Sequence, residues 1–202
     1  MEPTLYDSPF SGNAYKCRLM LHKRGMAYRR IVVDIDKGES RTPTFLALNP
    51  NGRVPLLVLK DGTALAESNA ILAWLARGTP YLPEEPLAFA QTLQWMFFEQ
   101  YSHEPNVATV RYWLTHNIEI TPYRALAIEH KREQGAAALQ VMETHLQTRA
   151  FFVGTRPTVA DIALYAYTHV AEEGGFSLAA YPQVRNWLAR VAADAPHIPI
   201  DA

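Results

Sequence analysis

Residues 5–18 read LYDSPFSGNAYKCR, and the order of residue types within them decides how the chain begins to fold. Thr4-Leu5-Tyr6 is a short strand signal that Asp7-Ser8-Pro9 breaks. Ser11-Gly12-Asn13 then supplies helix-capping residues ahead of an amphipathic run from Ala14 to Lys23, which Gly25 ends. A second strand signal follows at 28–33. Two strands joined through a helix imply a parallel pair, since a crossover of this length brings the chain back to the same end of the sheet.

Working outward, Pro43 starts a short helix over 44–48 that Asn49-Pro50-Asn51-Gly52 stops. The stretches 55–59 and 63–66 flank Asp61-Gly62, a strong two-residue hairpin signal. Ser68 caps a further helix reaching about Arg77. The order is β-α-β-α-β-β-α with a mixed sheet, so residues 1–77 are expected to form an α/β domain. Gly78-Thr79-Pro80 through Glu84-Glu85-Pro86 reads as a linker, 78–86. Residues 87–202 read as an all-α domain. Its signals are a long apolar-rich run over 87–116 that Pro105 kinks or breaks, a periodic run over 123–146, and a last helix over 182–193. Between the last two, Thr158 with Asp161 three residues on forms a capping-box-like start.

Composition narrows the function classes. Among 202 residues, 19 Lys and Arg nearly cancel 20 Asp and Glu, and no basic stripe appears, which argues against a nucleic-acid partner. Cys17 is the only cysteine, so neither an intrachain disulfide nor a cysteine-based zinc cluster is available. The N-terminus lacks a signal-peptide pattern and no apolar run is long enough to span a bilayer. A cytoplasmic protein with no membrane partner is expected. No HExxH, Gly-rich phosphate loop or paired-carboxylate constellation is present, so neither a metal nor a nucleotide is implied.

Four motifs in register, LYDSPFSGNAYKCR (5–18), FLALNPNGRVPLLVLKDG (45–62), ALAESNAILAWLA (64–76) and RPTVADIALYAY (156–167), resemble the cytosolic glutathione transferases over nearly the whole chain. The resemblance is to bacterial, serine-type, phi/theta-like members. It implies a thioredoxin-like glutathione-binding domain followed by a helical domain that supplies most of the pocket for the electrophile.

The same resemblance assigns residues. Ser11 matches the catalytic serine that holds the glutathione thiolate, and Asn13 is a candidate second donor to sulfur; a plain helix cap is the alternative for Ser11. Glu67 and Ser68 match the motif for the γ-glutamyl end, and Val54-Pro55 matches a cis-proline pair whose valine backbone meets the cysteinyl peptide. For the glycyl carboxylate, Ser40-Arg41 stand where plant members carry a His-Lys pair, and Arg53 stands where they carry Gln. Arginine is a good bidentate carboxylate partner, so Arg41, Arg53 or both are candidates. Phe10, His103, Val107, Arg111 and Tyr165 are candidates for the electrophile pocket, with core packing as the alternative. Tyr6 reads as strand packing and Cys17 as a buried helical cysteine.

Trp95, Phe97, Phe98 and Tyr101 are too dense for one buried face, and a homodimer through this segment is expected from the resemblance. The expected partners are therefore glutathione, small hydrophobic electrophiles and a second copy of the chain. Conjugation of glutathione is the leading activity. A glutathione-dependent disulfide or peroxide reductase and a non-catalytic module on the same fold are the alternatives. Such modules usually lose part of the glutathione motif, whereas Ser11, Pro55, Glu67 and Ser68 all stand here.

Overall fold

The structure, a computed structural model, describes residues 2–202. It divides into two compact units, one comprising the residues through Arg77 together with Ala195–Ala202, the other Gly78–Asp194.

The first unit runs β1 (Thr4–Asp7), α1 (Gly12–Lys23), β2 (Arg29–Val32), α2 (Pro43–Leu48), β3 (Leu56–Val58), β4 (Ala64–Ala66) and α3 (Ser68–Ala76). The sheet order is β2-β1-β3-β4. β1 is parallel to β2 and antiparallel to β3, and β3 pairs with β4 as a hairpin. Alternation along the strands sorts the side chains. Tyr6 and Leu56, paired across β1 and β3, share an apolar cluster with Val33 and Phe45 of α2, and the Tyr6 and Phe45 rings meet edge to face at 5.8 Å. Leu5 and Leu57, the adjacent pair, take the opposite face and are fully buried.

α1 is the least ordinary element. Its sequence reads as amphipathic, yet Lys16 and Arg18 are as completely buried as Cys17 and Leu19. Arg18 is neutralised by the buried Asp7, with Nε 3.2 Å from Oδ2, and Arg30 reaches the same oxygen at 2.5 Å. Arg18 Nη1 and Nη2 donate to the carbonyls of Ala202 and Ile200, and the Tyr15 hydroxyl donates to Ile198 O at 2.7 Å. Residues 195–202, assigned by the sequence to the helical domain, thus return to cover α1. Backbone carbonyls draw them there, and these solvate buried cations as water would.

The second unit contains α4 (Pro86–Phe98), α5 (Glu104–Thr115), α6 (Pro122–Leu146), α7 (Val159–Thr168) and α8 (Pro182–Ala193). Pro105 does not break the α4–α5 path. It brings no N–H, and the turn Glu99–His103 widens to a π turn closed by Glu104 N–H to Glu99 O. The capping box at the start of α7 is complete, with Thr158 N donating to Asp161 Oδ2 at 2.8 Å and Ala160 N donating to Thr158 Oγ1 at 3.3 Å. Asp161 also accepts from Phe152 N at 3.1 Å and Trp187 Nε1 at 2.9 Å. Burial outweighs these donors and pushes its carboxyl up to about 6. Residues 78–85 are held within this unit, Val159 N donating to Tyr81 O and the Tyr81 hydroxyl to Asp194, each at 2.8 Å. No helix among the described residues is long and apolar enough to cross a membrane.

Candidate functional site

The turn after β1 delivers Ser11 to the start of α1. Ser11 N donates to Ser8 O at 3.1 Å, with Pro9 in the second position and Phe10 in the third at φ 64. That third position in a type II turn normally takes glycine, so an aromatic residue there is strained. Ser11 is the N-cap, and its Oγ accepts from Ala14 N at 3.3 Å. Capping uses a hydroxyl lone pair and leaves the hydroxyl proton for donation, so the capping and thiolate roles are compatible.

Asn13, in the first turn of α1, meets Ser68 at the first turn of α3. Asn13 Oδ1 accepts from Lys16 Nζ at 2.7 Å and from Ser68 Oγ at 3.1 Å. Lys16 Nζ extends to Ser68 Oγ at 3.3 Å and Asn69 Oδ1 at 3.4 Å. An ammonium only donates, so the Asn13 atom facing it is the oxygen and Nδ2 is its donor edge. Ser68 is buried and opens α3, where the N–H groups of a helix start and the helix dipole favour an anion. Glu67 precedes it at φ 67 and makes no side-chain cap bond. A non-glycine residue held at such a φ costs about 1–3 kcal/mol and clusters at functional sites.

Around β3 the loop is braced by Asn49, whose Nδ2 donates to Arg53 O at 2.8 Å and whose Oδ1 accepts from Asn51 N at 3.1 Å. Arg41 sits over Gly52, its Nη1 donating to Asn51 O at 3.0 Å. Gly52 has φ 62, and a Cβ there would stand 2.5 Å from that Nη1. Arg41 and Arg53 are exposed, whereas Ser40 is buried. The Val54–Pro55 peptide is cis.

The electrophile-pocket candidates divide. Phe10 is half exposed. His103 and Val107 have no exposed surface, and His103 Nε2 is 3.0 Å from Thr168 Oγ1. Arg111 is buried and donates through Nε to Glu173 Oε2 at 2.7 Å. Tyr165 stacks on His169, ring centroids 4.6 Å apart, and lies edge-on to Trp187. The common face of His103, Val107 and Arg111 is real, but it is the packing face of α5, turned toward α7 and the turn Ala171–Gly174. These four are buried within the second unit.

Among the competing hydroxyls and thiols, Tyr6 belongs to the apolar cluster of the sheet. Cys17 is buried, with Sγ facing Ser68 O at 3.9 Å, and burial raises its thiol far above the ordinary range. Lys16 and Asn69 escaped the sequence reading. The i, i+3 spacing of Asn13 and Lys16 hinted at their contact, but a lysine in a helix ordinarily reads as solvated. Among the described residues, no group of three or more His, Cys, Asp or Glu is placed to hold a metal ion.

Two family models match the chain, "Glutathione S-transferase, N-terminal domain" over residues 10–77 and "Glutathione S-transferase, C-terminal domain" over 88–195. A glutathione S-transferase of Pseudomonas fluorescens Pf-5 superposes with a TM-score of 0.96 at 46% identity, over 99% of each chain. Ure2p in complex with glutathione superposes with a TM-score of 0.86 at 25% identity, over 96% of this chain and 95% of that one. The disulfide-bond oxidoreductase YfcG of Escherichia coli is 31% identical over 93% of this chain and 88% of its own length. Of the URE2 protein of Eremothecium gossypii, this chain spans 63% of the length.

Proposed function

Because this chain belongs to the glutathione S-transferase family, we propose that it binds glutathione in its first unit and conjugates it to hydrophobic electrophiles. The observation that carries the reading is the meeting of two helix N-termini. Ser11 and Asn13 at α1 and Ser68 at α3 bring hydroxyl and amide donors together where the helix dipoles favour anions.

The chemistry asked of the site is modest. A thiol of pKa ~8.5 needs a shift of about two units, roughly 2.7 kcal/mol, to be mainly thiolate at neutral pH. A hydroxyl donating to sulfur and the start of a helix together approach that. In this reading Ser11 and Asn13 donate to the sulfur. Ser68 and the α3 amides take the γ-glutamyl carboxylate, and Glu67 pairs with the α-ammonium. The Val54 backbone, beside Pro55, takes the cysteinyl peptide, and Arg41 with Arg53 takes the glycyl carboxylate. Phe10 is the side chain of the first unit that an apolar electrophile would touch. We further propose a cytoplasmic homodimer joined through the exposed aromatic residues of the α4–α5 segment.

Reduction of glutathione-containing disulfides is the second reading. The likeness to a disulfide-bond oxidoreductase favours it, and the same thiolate supports it without a protein cysteine.

Calorimetry with reduced glutathione tests the reading and should give one site per chain. Turnover on activated aryl halides, against disulfides and hydroperoxides, then separates conjugation from reduction. Absence of binding at millimolar glutathione would remove both readings and leave a non-catalytic module.

A further inference from the structure

Lys16 has no exposed surface, although a methionine would fill its space without the cost of burying a cation. Its Nζ donates to three side-chain oxygens, of Asn13, Ser68 and Asn69, all in the first turns of α1 and α3. Asn13 Oδ1 receives both Lys16 and Ser68.

We propose that Lys16 is a positioning residue for the thiolate site, holding the Asn13 amide in one orientation and tying it to Ser68. The inference rests on the reading of Asn13 and Ser68 as glutathione-site residues. An asparagine amide flips with little change in shape, but the flipped state would set its NH2 against the Lys16 ammonium, donor facing donor. Lys16 thereby fixes Nδ2 as the donor edge that the proposed contact with sulfur uses. Its hydrogen bond to Oδ1 also polarises the amide and strengthens Nδ2–H as a donor. When a ligand carboxylate draws the Ser68 proton away from Asn13, the ammonium remains to hold Oδ1. The two ends of glutathione are thus read by one connected set of side chains, with Lys16 beneath both.

The test uses the full chain with Lys16→Met, Asn13→Ala, Ser68→Ala and the Lys16→Met/Asn13→Ala pair. Ultraviolet titration of bound glutathione reads the thiol pKa, calorimetry reads affinity, and thermal melting checks folding. Lys16→Met should raise the bound thiol pKa by about one unit, with a tenfold loss of kcat/KM at neutral pH that recovers at high pH. The shift should vanish in the Asn13→Ala background, because Lys16 acts through that amide. Should Lys16→Met fail to fold, Lys16→Gln, which keeps a shorter donor without the charge, carries the same cycle. An unchanged thiol pKa, or a shift that adds in full to that of Asn13→Ala, overturns the proposal. If Asn13→Ala and Ser68→Ala are themselves silent, the glutathione-site reading falls and takes this inference with it. If they are impaired and the Lys16 variant is silent, the inference falls alone.

Discussion

Ser68 Oγ donates to Asn13 Oδ1 at 3.1 Å, joining residues 55 positions apart at the first turns of α3 and α1. The bond makes the hydroxyl of one helix start answer to the amide of the other. A ligand anion at Ser68 must compete with Asn13 for that proton, so in the proposed site filling the carboxylate end changes what the thiol end can do.

Ser68→Ala removes the hydroxyl and leaves the α3 amides in place. Glutathione should bind about 1–3 kcal/mol more weakly for the loss of that hydrogen bond to its carboxylate. Isothermal titration of wild type and variant reads this directly. Equal affinities would mean that the backbone amides alone hold the carboxylate.

Ser11 has a capping role and a proposed chemical one, and two substitutions separate them. Ser11→Ala loses both, so it should cost about 1 kcal/mol of stability. It should also raise the bound thiol pKa by about one to two units. Turnover at neutral pH should fall roughly ten- to hundredfold and recover at high pH, where solvent ionises the thiol unaided. Ser11→Asp keeps a capping acceptor without a donor, so stability should hold while the thiol pKa still rises. A large shift in Asn13→Ala or Tyr6→Phe with none in Ser11→Ala would assign the donor elsewhere.

Phe10 occupies φ 64 in the turn before Ser11 and is half exposed. Phe10→Gly relieves backbone strain at a smaller entropic cost, so a net gain of about 1 kcal/mol is expected. If Phe10 touches the electrophile, KM for an aryl substrate should rise while affinity for glutathione stays the same. Denaturant melts and steady-state kinetics measure the two effects independently.

Asp161 gives a pH dependence of known sign. Its folded pKa, pushed up to about 6 by burial, exceeds the ordinary carboxylate value of about 3.9. The folded state therefore holds the proton more tightly. The contribution is fully present below pH 4 and is lost as pH rises to about 6, by roughly 3 kcal/mol at 1.36 kcal/mol per unit. Denaturant titrations between pH 4 and 7 should show this fall. Asp161→Asn should abolish it while destabilising the fold, since its NH2 sets a donor against either the Thr158 hydrogens on one side or those of Phe152 and Trp187 on the other. A variant as stable as wild type at pH 7 would contradict the role of the carboxylate as hub of the capping box.

Phe97 and Tyr101 are exposed by 68% and 87%, whereas Trp95 of the same segment is buried against Phe152 and His145. Light scattering at micromolar concentration should give a dimer, and Phe97→Glu with Tyr101→Glu should give a folded monomer. A monomeric wild type would leave these rings without a self-partner.

The strands, the helices and their order follow from residues within a few positions of one another. Asp61-Gly62 turns its hairpin, Ser11 and Thr158 cap their helices, and Gly25 ends α1, all through local backbone geometry and short side chains. Ser68, expected as a cap, is instead the first residue of α3, with Glu67 at the N-cap position and the Ser68 hydroxyl turned to Asn13. The candidate roles of Ser11 and Ser68 came from the family resemblance, while their places at helix starts were legible because a helix start is a local feature. Burial is not local. Lys16 reads as a solvated helical lysine until Ser68 and Asn69, more than fifty positions on, arrive above it. His103 and Val107 are buried because other elements, Thr168 of α7 among them, approach from elsewhere in the chain, and nothing in their own stretch of sequence announces it. The attachment of residues 195–202 to α1 was the least legible of all. Tyr15 and Arg18 recognise carbonyl oxygens of Ile198, Ile200 and Ala202, groups that every residue carries and no side-chain pattern announces.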